Sequence, residues 1–171
     1  ATLEEGALLA KLARHLGTAS IDHRIERRDF SDQGDDPVFP WLGCDIANIE
    51  KQDAILVIGT NVRQEAPIIA HRIRKASLAG ASVNLVSREP HDYFLDVDNY
   101  LSGAGLVELL SGQGIKSVMD TLKKADNALV LLGNIAGRHA AFSTVRALAA
   151  DIAGKARAKL GTLSPGANSA G

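Results

Sequence analysis

The sequence predicts a doubly wound α/β fold, a mostly parallel sheet with helices on both faces. Three observations carry this expectation. "AILVI" at 54–58 is a continuous apolar run, as a strand buried on both faces of a parallel sheet requires. The run then nearly recurs, because "DNALVLLGN" at 126–134 echoes "DAILVIGTN" at 53–61 with Gly133 in the place of Gly59 and Asn134 in that of Thr60. Such strands alternate with helical patterns of about 10–15 residues, the signature of crossover units that build a parallel sheet.

The elements follow in order. Residues 2–16 predict a helix, with Thr2 and Glu5 spaced as a capping box and Leu8, Leu12 and Leu16 on one face. Gly17 supplies its left-handed stop. A short edge strand is expected at 19–24, followed by the aperiodic, acid- and proline-rich "IERRDFSDQGDDPVFPWLG". Phe39 and Trp41 beside two prolines suggest that this loop docks on the protein. Residues 1–44 thus form an N-terminal helix, strand and docked loop, 45–163 a Rossmann-like domain, and 164–171 a cut or flexible tail.

Within the α/β part, the strand at 54–58 leads into a helix over roughly 65–79, with Pro67 in its first turn, where a missing N–H costs little. Ala66, Ile69, Ala70, Ile73 and Ala76 form its apolar stripe, Arg74 and Lys75 complement the dipole of its last turn, and Gly80 ends it. A second strand is expected at 82–87, then helices at 104–111 and 115–124, the latter with Ile115, Val118, Met119 and Leu122 inward. The strand at 126–134, a helix at about 138–153 with Ala141, Val145, Leu148 and Ile152 on one face, and a strand at 157–163 complete the pattern.

Composition narrows the function. At 171 residues, 46% apolar and 23% charged, the chain reads as one globular domain or a large piece of one. Its termini read as cut, so a fragment of a longer protein is expected. A net charge of −1 offers no clustered basic face for nucleic acid. No apolar run approaches the ~20 residues a membrane helix needs. The single cysteine, Cys44, excludes an internal disulfide and suggests a reducing compartment.

In a doubly wound sheet, ligands sit beyond the carboxyl ends of the strands at the switch in strand order. Gly59, Thr60 and Asn61 after one strand, Ser87 and Arg88 after the next, and Gly133 and Asn134 after a third should gather there. Glycine permits close backbone approach, Thr and Asn offer hydrogen bonds, and helix N-termini favour anions. Neither G-x-G-x-x-G nor G-x-x-x-x-G-K-[ST] occurs, so glycines serving only the turn explain the pattern as well. The five histidines, His15, His23, His71, His91 and His139, are scattered without metal-ligand spacing. Cys44 has no sequence-local base and reads as a small buried hydrophobe. Asp32, Asp35 and Asp36 lack the spacing of a calcium loop and read as a solvated acidic stretch. No catalytic set can be built from the residues alone.

At "AILVIGTNVRQEAPIIAHRIRKA" the sequence resembles the molybdopterin-oxidoreductase superfamily. Within it, the resemblance is to the branch found in the peripheral arm of bacterial NADH:quinone oxidoreductase, respiratory complex I. It extends through "LEEGALLAKLARHLGTASIDHR", "DFSDQGDDPVFPWLG", "ALVLLGNIAGRH" and "GANSAG", in order along the chain. It implies a parent with iron–sulfur clusters in a cysteine-rich region that this chain lacks, and a place for this chain in the parent's C-terminal region. It also implies relatives that bind a molybdenum or tungsten bis-pterin guanine dinucleotide. In those relatives the first turn typically reads G-S-N, followed by E-x-H-P. Gly59, Thr60, Asn61, Glu65 and Pro67 match that pattern, while Ala66 stands in place of the histidine. Where relatives often carry Asp-Pro-Arg at the next strand end, this chain has Ser87, Arg88, Glu89 and Pro90. Both departures are those of the complex I branch. The resemblance therefore implies a vestigial dinucleotide site, no cofactor in this chain, and neighbouring peripheral-arm subunits as partners. It places the parent on the cytoplasmic face of the inner membrane. A fragment of a cofactor-binding oxidoreductase such as formate dehydrogenase or nitrate reductase is the alternative, and a generic nucleotide-binding domain, such as the central domain of a thiamine-dependent enzyme, a third.

Overall fold

A computed structural model of the chain describes residues 2–21, 29–32, 34 and 41–164. Helix α1, Leu3–His15, opens with the expected capping box, in which the Glu5 N–H donates to Thr2 Oγ1 at 3.3 Å and the Thr2 N–H to Glu5 Oε2 at 2.9 Å. Gly17 has φ 80° just past its end. Its leucines share one face, but that face is exposed, and α1 contributes no buried residue. Residues 19–21 form no strand, and 22–24 lie outside the described residues.

The sheet has five strands, all parallel, in the order β3-β2-β1-β4-β5: β1 Ala54–Ile58, β2 Ser82–Val86, β3 Asn99–Leu101, β4 Ala128–Leu132 and β5 Lys159–Thr162. The two echoing segments are neighbours at its centre, with Ala54 through Ile58 in register with Ala128 through Leu132. Every residue of both strands is buried, as their unbroken apolar runs require. Strand β3 has no counterpart among the sequence-based expectations. It is three half-buried residues long, too short for periodicity to reveal, and the connection from β2 is an irregular loop instead of a helix.

Strict alternation along β1 feeds two cores. Leu56 and Ile58, with Val130 and Leu132, pack under α4 (Leu106–Ser111), α5 (Ile115–Lys124) and α7 (Phe142–Ala156). Ile55 and Val57, with Leu129 and Leu131, pack under α3 (Pro67–Leu78) and the 3₁₀ turn Ile46–Lys51. Helices therefore cover both faces.

Two helix starts differ from expectation for local reasons. The helix expected from residue 65 is split into α2, Val62–Glu65, and α3, with Ala66 between them at φ −146° and ψ 71°. Pro67 causes the break, since its ring excludes the α region for the residue before it. After β4, a single turn α6, Asn134–Gly137, precedes α7, which starts at Phe142 instead of residue 138.

Two acids in the described part of this stretch contact α7. Asp29 accepts hydrogen bonds from the backbone N–H and hydroxyl of Ser143 at 2.9 and 2.5 Å, in the first turn of α7. One turn on, Arg146 Nε donates to Asp32 Oδ2 at 2.8 Å. Asp32 is thus ion-paired and not part of a solvated run, while Asp35, Asp36 and Phe39 lie outside the described residues. The Trp41 ring is half exposed, and its carbonyl, accepting from Thr162 N–H at 2.7 Å, makes the attachment. This contact covers the outer edge of β5, and Gly161 is required there because a Cβ would lie 1.9 Å from the Leu42 carbonyl oxygen. No helix among the described residues is long and apolar enough to cross a membrane.

Candidate functional site

Strand order reverses between β1 and β4, since the chain proceeds from β1 to β2 and β3 on one side and from β4 to β5 on the other. The turns following these two strands meet at their carboxyl ends. Gly133 N–H donates to the Ile58 carbonyl at 2.9 Å, and Ala136 N–H to the Gly59 carbonyl at 2.9 Å. Gly59 sits at φ 58°, and a Cβ there would lie 2.7 Å from that of Ala136. At Gly133 a Cβ would lie 2.0 Å from that of Thr60. These glycines let one turn pack on the other.

Glu65 completes the joint. Its Oε1 accepts from the Asn61 N–H at 2.9 Å, and its Oε2 from the Asn134 N–H at 3.3 Å. One carboxylate thereby satisfies donors at the starts of both α2 and α6. Thr60 is buried, with its carbonyl accepting from the Tyr93 hydroxyl at 2.5 Å. Burial pushes the Tyr93 phenol well above its ordinary pKa, which favours the neutral, donating form. Two acceptors of this joint stay unsatisfied among the described residues, Thr60 Oγ1 and Asn61 Oδ1.

Ser87 lies buried at the end of β2, its N–H donating to the Leu101 carbonyl at 3.0 Å, and Arg88 is exposed beyond it. The fold therefore brings Gly59, Thr60, Asn61, Glu65, Gly133 and Asn134 into direct contact, with Ser87 at the adjoining strand end. Sequence reasoning missed Tyr93, whose partner lies 33 residues away and which sits in an irregular loop that leaves no periodic signal.

Two hollows lie away from this joint. One of about 420 Å³ lies beside the ends of β4 and β5, between Trp41, Leu132, Arg146, Leu160 and Thr162. Another of about 250 Å³ lies between α3 and the loop carrying Phe94. Burial raises the pKa of the Cys44 thiol, opposite to what a nucleophile needs. Among the described residues no group of three His, Cys, Asp or Glu side chains is placed to hold a metal ion.

An all-parallel sheet with its two central β–α turns joined at the switch point defines a Rossmann-like, doubly wound domain. The profile of the molybdopterin oxidoreductase family matches residues 1–168, and the chain belongs to that family. Among solved structures it is similar to a chain of the formyltransferase/hydrolase complex from Methylorubrum extorquens, crystallised with methylofuran, at 16% identity and a TM-score of 0.47. That match covers 69% of this chain and 37% of the other, so this chain spans well under half of its length. At that score the likeness carries no functional information.

Proposed function

We propose that this chain is a structural, non-redox portion of the molybdopterin-oxidoreductase-like subunit in the peripheral arm of an NADH:quinone oxidoreductase. The parent complex couples electron transfer from NADH to quinone to proton translocation. The iron–sulfur clusters lie elsewhere in the parent. The chain's partners are other peripheral-arm subunits at the cytoplasmic face of the inner membrane, and its own contribution is surface and rigidity.

The observation that carries this reading is Ser87. A dinucleotide-binding relative holds guanine with a carboxylate at this strand end, and here a buried hydroxyl stands instead. The lost charge-assisted contact is worth on the order of 1–3 kcal/mol. Ala66, in place of the histidine before Pro67, supports it. Glu65 belongs to the pattern of the cofactor-binding relatives as well, so its clasp does not separate the branches. It does explain how the turns hold together without a ligand, because both donors an incoming phosphate would meet already have an acceptor.

The rival reading, a portion of a molybdopterin guanine dinucleotide-binding enzyme, draws support from the two unsatisfied acceptors, Thr60 Oγ1 and Asn61 Oδ1. Under it, Thr60, Asn61 and Asn134 would line the phosphate side of the site and Ser87 and Arg88 the base side. Calorimetric titration with guanosine diphosphate tests the two. The structural reading expects no heat of binding; saturable binding that weakens in Asn61→Ala would overturn it.

A further inference from the structure

The segment joining β2 to β3 is fastened by side chains alone. Among the described residues, 89–97 make no hydrogen bond from backbone to backbone. Only the roots are tied into the sheet region, where the Arg88 carbonyl accepts from the Gly103 N–H at 3.1 Å and the Asp98 N–H donates to the Val83 carbonyl at 2.9 Å. Between the roots, side chains of α2 and α3 donate to carbonyls of the segment. Arg63 Nη1 reaches that of Asp92 at 2.7 Å, Arg74 Nε that of Phe94 at 3.2 Å and Ser77 Oγ that of Asp96 at 3.3 Å. A strap held in this way lifts without breaking any helix or sheet bond.

Arg63 is the fastening that matters most. Besides its bond to the Asp92 carbonyl, its guanidinium lies 3.6 Å over the centroid of the Phe94 ring, so it grips the residues on both sides of Tyr93. Tyr93 is thereby held inward, buried, with its hydroxyl donating to the Thr60 carbonyl just past the end of β1. Phe94 takes φ 50°, a left-handed conformation unfavourable for an aromatic residue, and remains 64% exposed. Strain of this kind persists only where the surroundings impose it, and here Arg63 and Arg74 do so. Lifting the strap relieves it.

We propose that residues 89–97 form a lid over the turn after β1, latched by Arg63 astride Tyr93, which opens as one local unit while the sheet stays folded. Opening uncovers the Thr60 backbone and the strand ends on the β2 side of β1, away from β4. This inference is independent of how the crevice at β1 and β4 is read, because the lid controls access to that side of a vestigial site as well as of a working one.

Native-state proteolysis of the 171-residue chain with chymotrypsin tests it, because the enzyme cuts after Tyr93, Phe94 or Leu95 once the strap has left the surface. Mass spectrometry identifies the cut. Cleavage there proceeds at a rate nearly independent of urea below the unfolding transition, since a local opening exposes little surface. Arg63→Ala raises that rate about tenfold, because a charged hydrogen bond and a cation–π contact are lost from the closed form alone. Tyr93→Phe, which removes only the hydroxyl, raises it by a smaller factor. Ile152→Val, in the core on the other face of the sheet, weakens the whole fold yet leaves the rate unchanged, since closed and open forms carry that change alike. Strap cleavage that rises with urea as steeply as global unfolding overturns the proposal. So does an Arg63→Ala rate equal to the parent's, or an Ile152→Val rate raised as much as that of Arg63→Ala.

Discussion

The Glu65 carboxylate accepts the backbone N–H of Asn134, 69 residues along the chain, while holding the N–H of Asn61 with its other oxygen. One side chain thus ties the turn after β1 to the turn after β4, the two halves of the internal echo. Replacing it with alanine leaves two partly buried donors without acceptors. Glu65→Ala should cost about 2–3 kcal/mol, and Glu65→Gln, which keeps one acceptor oxygen but loses the charge, about 1 kcal/mol less than that. Urea denaturation with amide exchange at Asn61 and Asn134 measures both; an alanine variant within a few tenths of the parent contradicts the clasp.

The glycines across this joint tolerate no side chain. A methyl on Gly133 would fall 2.0 Å from the Thr60 Cβ, and one on Gly59 would meet Ala136 while also fixing an alanine at φ 58°. Gly133→Ala should cost more than about 3 kcal/mol, since both turns must move apart to admit it, and Gly59→Ala a comparable amount. Soluble yield and thermal midpoint report this. Gly137→Ala, where a Cβ meets nothing within 4 Å, is the silent control.

Thr60 makes the opposite prediction. Its hydroxyl oxygen is buried without a hydrogen-bond partner among the described residues. Thr60→Val, which keeps the shape and removes the polar atom, should leave stability unchanged or raise it by up to about 1 kcal/mol. In the assembled complex it should leave electron transfer unchanged. A stable variant whose complex loses activity would show that the hydroxyl serves a ligand.

Asp29 makes stability depend on acid. Hydrogen bonds from Ser143 and Ser31 hold its carboxyl far below the usual carboxylate range. The folded pKa is depressed, so the stabilisation is fully present above the unfolded value of about 3.9 and is lost as pH falls below it toward the folded value. Asp29→Asn should lower the thermal midpoint at neutral pH and flatten its fall between about pH 4 and 2. Thermal melts across that range, parent against variant, decide it; parallel acid limbs would remove Asp29 from the account.

Much of the fold was legible because burial on both faces leaves an unmistakable run. "AILVI" and "ALVLL" could be little else than central strands, and their shared register follows from their echo. Strand β3 was not legible. Its place depends on Asn99 Nδ2 donating to the buried Asn84 Oδ1 at 2.7 Å, a polar pairing that apolar periodicity does not detect. Gly59, Thr60, Asn61, Gly133 and Asn134 met as their strand ends required while Arg88 stayed exposed beyond them, and the clasp by Glu65 was hidden, since resemblance marked the residue without giving its role. The leucines of α1 had the correct periodicity, but periodicity reports only that a face is apolar, not what covers it.

The most direct test of the structural, non-redox reading is elemental and pterin analysis of the full-length native protein purified with its associated subunits. The account predicts iron, NADH:quinone oxidoreductase activity, and neither molybdenum nor tungsten above trace, with no extractable pterin. Stoichiometric molybdenum or tungsten together with a pterin guanine dinucleotide would contradict it.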